Sequence, residues 1–263
     1  MPRRGCSPRE GEHVPAIIRL HLLTPPGLRV YPARLHGAVC ALLEPAWVRH
    51  RDQRKPFSTG PLSGDGNTAA WRLGWLADEP VELDVNEVAF GPLVCPVLRC
   101  DVEQILYAEL AAGPPAWTAD VDVISPLYFS RNGRDHPLPD PVLMLRSAVE
   151  RWNAFAPAAL QVADDIAQAL LGGVWLASMS GATATTPVTA TMHQTGFVGQ
   201  ARLALGRHAP PQVPEAFAAL MRFADIAGLG AQTTHGFGAV RLAALGPSRP
   251  PRPAAPRPTG RRP

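Results

Sequence analysis

Residues 223–242 read Phe-Ala-Asp-Ile-Ala-Gly-Leu-Gly-Ala-Gln-Thr-Thr-His-Gly-Phe-Gly-Ala-Val-Arg-Leu. Gly228, Gly230, Gly236 and Gly238 fall between two segments of regular pattern. Before them, Pro214 to Ala227 has helical apolar periodicity, and Pro214-Glu215 suits a helix start. After them, Phe237 to Leu242 is a short strand candidate. A glycine-rich turn between helix and strand permits positive φ and exposes backbone N–H groups that can cradle phosphates. The spacing matches neither GxGxxG nor GxxxxGK[ST], which counts against nucleotide-cofactor folds.

Working backwards from this turn, the chain divides into two halves of similar pattern. The first opens with a strand at 14–23, followed by a Pro-Pro-Gly turn. A helix from Tyr31 to Leu43 carries Leu35, Val39, Leu42 and Leu43 on one side, with Pro32 in its first turn. A loop is expected from Glu44 to about Asn67. Strands are expected at Ala70–Leu76, Val81–Phe90 and Leu93–Leu98, while Val102–Leu110 reads as either strand or short helix. Gly113-Pro114-Pro115 is the joint. The second half begins with a strand at Val121–Ile124. It continues with a helix at Pro141–Phe155, a helical run to Leu171, and strands at Val174–Met179 and Phe197–Leu205. Two βαββαβ-like units predict an α+β protein of two tandem ferredoxin-like domains. The expected boundaries are an N-terminal extension at 1–13, a first domain at 14–115, a second at 116–246 and a tail at 247–263.

The tail holds seven prolines and five arginines with no acid and no large apolar residue, a composition expected to be disordered. Although the whole chain is +3, removing those five arginines leaves the body slightly acidic. A polyanionic partner must therefore meet a local patch rather than a basic fold. One such patch is Arg49, Arg51, Arg54 and Lys55, and Lys55 is the only lysine in the chain. Cys6, Cys40, Cys95 and Cys100 show neither CxxC nor zinc-finger spacing, so neither a disulfide framework nor a metal site is expected. A reducing cytoplasm is the expected location. The absence of a long apolar run argues against a membrane partner.

The stretch Phe223–Leu242 resembles the C-terminal glycine-rich loop of the RAMP superfamily of CRISPR-associated proteins. Within it, the chain is similar to the endoribonuclease that processes CRISPR repeat RNA. Three further segments agree in order. Gly196-Phe197-Val198-Gly199-Gln200 resembles the strand before the last helix, and Val123-Ile124-Ser125-Pro126-Leu127-Tyr128-Phe129 resembles the SPxxF strand opening the second domain. Leu35-His36-Gly37 through Phe57-Ser58 resembles the first helix and the loop that carries catalysis. The resemblance implies two ferredoxin-like domains and metal-independent, cofactor-free cleavage of repeat RNA. It also implies RNA contacts by the loop, at Gly228, Gly230, Gln232, Thr233, Thr234, Gly236 and Gly238. Precursor and mature guide RNA, and subunits of a CRISPR effector complex, are the partners implied.

Metal-free scission needs a base for the ribose 2′-OH, an acid for the departing 5′-oxygen, and a cation for the phosphorane. Histidine titrates near working pH and suits the proton transfers, while a lysine ammonium is a compact mobile cation. His50 and Lys55 lie in one loop at a spacing similar to the family's His and Lys. The family's third residue is often a tyrosine on the preceding helix, but its place here falls near Cys40. His36, on the same helix, is the substitute candidate, and Tyr31 at the helix start is a poorer one. Arg49, Arg51 and Arg54 are candidates for phosphate binding. Cys40 in the tyrosine's place also supports an alternative, a non-catalytic RAMP-fold subunit that holds RNA in an effector complex.

Overall fold

A computed structural model describes residues 14–45, 48, 54–64, 66–77 and 79–247. The extension at 1–13 and all of the tail except Pro247 therefore lie outside the described residues. In the first half, β1 (Ala16–Leu23) is followed by α1 (Pro32–Leu43), β2 (Phe57–Ser63) and β3 (Thr68–Trp75). After these come β4 (Glu87–Phe90), β5 (Leu93–Gln104) and the short α2 (Tyr107–Ala112). The five strands form one antiparallel sheet in the order β2-β3-β1-β5-β4. Alternation decides which face is covered. Ile18, Leu20 and Leu22 point inward, pair with Leu73, Trp71 and Ala69 across β3, and pack with Leu35 and Val39 of α1. Arg19, His21 and Leu23, between them, are exposed.

The structure corrects the expected elements in three places. The long loop contains an unpredicted strand, β2, whose internal Gly60 and Pro61 hide its signal; proline is tolerated because β2 is an edge strand, shifted in register between Thr59 and Leu62. Only Glu87–Phe90 of the expected 81–90 strand forms. The ambiguous stretch 102–110 divides, with β5 running to Gln104 and α2 beginning at Tyr107.

The second half contains β6 (Thr118–Leu127), a small hairpin of β7 (Phe129–Arg131) and β8 (Arg134–His136), α3 (Pro141–Phe155) and α4 (Asp164–Gly173). It continues through β9 (Val174–Pro187), β10 (His193–Leu205), α5 (Gln212–Ala227) and β11 (Val240–Gly246). Its sheet order, β11-β6-β10-β9, is the ferredoxin-like arrangement, with α5 crossing between β10 and β11. The β9–β10 hairpin is longer than expected because its outer part is threonine-rich and exposed, without apolar alternation. In the first unit, β5 takes the place of the fourth ferredoxin strand, but no helix precedes it. Both units are thus ferredoxin-like, the first without its second crossover helix.

The units meet in a shared core and through main-chain contacts. Ile17, Leu76 and Tyr107 of the first half belong to the core of the second. The Tyr107 ring meets Trp152 edge-on and lies against Phe223, while its hydroxyl donates to the Leu76 carbonyl (2.9 Å). The C-terminal end of α5 lies on β2 and β3. Ser58 Oγ donates to the Ile226 carbonyl (2.6 Å), and Arg72 pairs with Asp225 (2.7 Å). At Gly74 the approach is so close that an added Cβ would stand 2.1 Å from the Ile226 oxygen. Gly74→Ala is therefore expected to force the units apart and destabilise the protein by about 1–3 kcal/mol, as overpacking does. Urea denaturation measures it, and unchanged stability would mean that α5 can retreat at no cost.

Candidate active site at the junction of the two units

The glycine-rich turn leaves α5 at Gly228 and doubles back onto itself. Leu229 N–H donates to the Gly238 carbonyl (2.9 Å), Gly238 N–H to Pro126 (3.0 Å) and Ala231 N–H to Tyr128 (2.9 Å). Gly230 N–H donates to Ser147 Oγ and Ala239 N–H to Ser125 Oγ. These amides are spent inside the protein, so the expected phosphate cradle does not form from them. Gly228, Gly230, Gly236 and Gly238 all have positive φ. At Gly238 a Cβ would stand 1.8 Å from the Leu229 oxygen, which requires glycine there.

The turn is tied to the first unit through Arg151 of α3. Its guanidinium donates to Thr233 Oγ1 and to the Phe57 carbonyl (3.1 Å). Burial pulls its pKa down to about 10, which leaves it charged at neutral pH, and its Nε has no partner. Thr233 is buried beneath it, whereas Gln232 is exposed and Thr234 and His235 are half-buried. Sequence reasoning did not single out Arg151, since nothing distinguishes it from the other arginines before the fold is known.

The tip of the turn reaches α1. His36 Nδ1 lies 3.0 Å from the Thr234 carbonyl; a carbonyl only accepts, so Nδ1 carries the proton. The neutral ring's lone pair is therefore on Nε2. The rings of His36 and His235 stack face to face, with centroids 3.8 Å apart and planes 7° from parallel. Thr234 Oγ1 meets His235 Nδ1 at 3.2 Å. Burial, reinforced by the neighbouring His36, lowers the His235 pKa from the usual 6.5 to about 4.

One turn along α1, Cys40 Sγ stands 3.6 Å from His36 Nε2. Burial and a hydrogen bond to Glu44 raise its pKa to about 12, so it remains a thiol. Glu44, at the C-terminus of α1, accepts from Lys55 at 3.0 Å, and the lysine side chain is only 3% exposed. Lys55 therefore joins the two ends of the loop. His50, Arg49 and Arg51 lie outside the described residues, while Arg54 is exposed beside Lys55. Tyr31 lies at the start of α1, where its ring faces Arg34. Among the described residues no cluster of side chains could hold a metal ion, and no helix is long and apolar enough to cross a membrane.

Two ferredoxin-like units joined by a glycine-rich turn, with histidines where they meet, are the arrangement that the resemblance to the RAMP superfamily implies. The profile of the CRISPR-associated endoribonuclease Cas6 matches residues 121–240. A Cas6 solved as a product complex is 28% identical, with a TM-score of 0.73 over 88% of this chain and 100% of the other. A second Cas6 product complex is 25% identical, with a TM-score of 0.74 over 87% and 99%. A Thermus thermophilus Cas6 is also 25% identical and gives a TM-score of 0.65 over 87% and 98%. No curated protein sequence matches. Over residues 121–240, and in its fold over nearly nine-tenths of its length, the chain is similar to Cas6.

The depressed pKa of His235 has a consequence for stability. The unfolded chain takes up a proton near pH 6.5 that the folded ring refuses until about pH 4. The unfolded state therefore binds more protons across that window, and folding stability falls as pH drops through it. The loss attributable to His235 reaches at most about 3 kcal/mol, less in so far as the ring is hydrated. Comparing denaturant midpoints of wild type and His235→Phe between pH 7 and 4 measures it; the variant is expected to lose less.

Proposed function

We propose that this chain is a metal-independent endoribonuclease that binds CRISPR repeat RNA and cuts precursor transcripts into guide RNAs. The ribose 2′-OH attacks the adjacent phosphorus and the bond to the 5′-oxygen breaks, leaving a 2′,3′-cyclic phosphate and a 5′-OH. The observation that carries this reading is the junction itself. His36 is held there by a main-chain carbonyl, with its second nitrogen on the side of Cys40. The described ends of the loop containing His50 adjoin the same place, at Glu44 and Lys55. The match of residues 121–240 to the Cas6 profile supports it, as do similar proteins solved as product and substrate-mimic complexes.

In this reading His50 and His36 divide the two proton transfers, the base taking the 2′-OH proton and the acid giving one to the 5′-oxygen. Arg49, Arg51, Arg54 and Gln232 meet the phosphate backbone, with Thr234 at the same edge. Gly228, Gly230, Thr233, Gly236 and Gly238 act by shaping the turn. Lys55 acts chiefly by anchoring the loop to Glu44, since its ammonium is buried against that carboxylate. The RNA partner extends to the mature guide, and association with effector-complex subunits belongs to the same proposal.

The first test uses the repeat RNA of the CRISPR array in the genome that encodes this chain. Cleavage is expected to persist in EDTA and to stop when the scissile ribose is 2′-deoxy. His50→Ala and His36→Ala are each expected to slow it by about 100-fold or more. Cutting of the deoxy substrate would sink the mechanism. Tight binding with no turnover, unchanged by either substitution, would instead favour the non-catalytic RNA-binding subunit.

A second measurement separates anchoring from chemistry at Lys55. Lys55→Met removes Glu44's buried lysine partner and should cost about 3 kcal/mol of stability, whereas Lys55→Arg should keep most of it. Under the anchoring role, Lys55→Arg binds RNA as wild type does and cuts at a similar rate. A fully stable Lys55→Arg protein that binds but does not cut would return the ammonium to the reacting phosphate.

A further inference from the structure

His36 has two rotatable side-chain torsions and lies half-buried on α1. The Thr234 carbonyl holds one edge of its ring but does not cover the ring's face. A flat group against the face limits how far the ring can tilt, and His235 supplies it at 3.8 Å with the planes almost parallel. We propose that His235 is a positioning residue for His36, a planar stop presented by the second unit that fixes the orientation of the first unit's ring for proton transfer. The proposal rests on the reading of His36 as an acid–base group and adds that its geometry exists only when the glycine-rich turn is docked.

The support for His235 is built from the backbone upward. Its N–H donates to the Gln232 carbonyl (2.9 Å), and the left-handed residues Gln232 and Gly236 bracket the tight turn that carries it. A Cβ at Gly236 would come 3.1 Å from Leu35 on α1, so the turn lies directly on that helix. Thr234 grips both rings, His36 through its carbonyl and His235 through its hydroxyl. The stop also suits a partner that gains charge. His235 stays neutral at working pH because burial and His36 hold its pKa low, so it does not repel a His36 imidazolium. An aliphatic side chain in its place would have no flat face to present.

The experiment compares His235→Leu, which keeps apolar bulk without a planar ring, with His235→Phe, which keeps the ring without its nitrogens. His36→Ala serves as the reference. Each is checked for folding by circular dichroism and assayed for kcat and KM on the same repeat RNA. His235→Leu should lower kcat by about 10- to 100-fold, the usual result of a misplaced catalytic group, with KM changed no more than about twofold. His235→Phe should recover to within about threefold of wild type. A wild-type kcat for His235→Leu overturns the proposal. So does His235→Phe as slow as His235→Leu, which would make a ring nitrogen of His235 necessary. His36→Ala at full rate would overturn the reading of His36 and the proposal with it. Loss confined to the His235 variants' KM would assign His235 to RNA binding instead.

Discussion

Gly74 lies against the carbonyl of Ile226 with no room between them for even a methyl group. That contact sets how closely the end of α5 approaches β3, and the glycine-rich turn begins two residues beyond Ile226. The turn has little freedom of its own, because its amides bond to Pro126, Tyr128 and Ser147 of the second unit. The separation of α5 from β3 therefore decides where Thr234 and His235 land on α1. A displacement of an ångström at Gly74 would be carried along a stiff path to the His36 ring. Ser58 and Arg72 hold the same end of α5 with side chains, and Arg151 holds the turn from the other side.

The electrostatics at the junction keep most of its described groups neutral or paired. Cys40 is kept as a thiol and His235 as a neutral ring, both chiefly by burial. The one buried lysine faces a carboxylate. Arg151, without a carboxylate partner among the described residues, spends its charge on a hydroxyl and a carbonyl. Desolvating such a guanidinium is costly, and hydrogen bonding recovers only part of that. Its charge is thus a poor source of stability but a source of direction, since its two bonds join α3 at once to the turn and to β2.

The fold was legible in sequence where side chains alternate or repeat with helical period, as in Ile18-Arg19-Leu20-His21-Leu22 or Pro141–Phe155. It was least legible at β2, where Gly60 and Pro61 sit in a strand tolerated only by its edge position. The glycines of the turn were visible, but the contacts that require them were not. Positive φ folds the turn onto itself and past the Leu229 and Tyr128 carbonyls, and the amides of Leu229, Gly230, Ala231, Gly238 and Ala239 bond inside the protein. His36 could be singled out because histidine on an apolar helix is chemically conspicuous. Glu44 and Arg151 could not, since their partners are 11 residues away across a loop or 82 and 94 residues away in the chain. No local pattern marks a side chain whose role is to meet something distant.

This distribution of roles explains why the paired histidines come from opposite units. A ring on α1 can be aimed only by groups outside α1, because residues one turn away share its face but do not cover it. Cys40 is such a neighbour, and it touches the ring's edge. Covering the face needs a separate element, and the glycine-rich turn, with the amides of Leu229, Gly230, Ala231, Gly238 and Ala239 bonded inside the protein, supplies it. The same rigidity that removes its amides from the service of phosphate makes it fit to orient a side chain. A turn with amides free to bind RNA would be softer and less able to hold His235 in plane. Under the proposed function, the glycine-rich turn acts on the chemistry through the position it imposes on His36, while exposed Gln232 is left to meet the RNA.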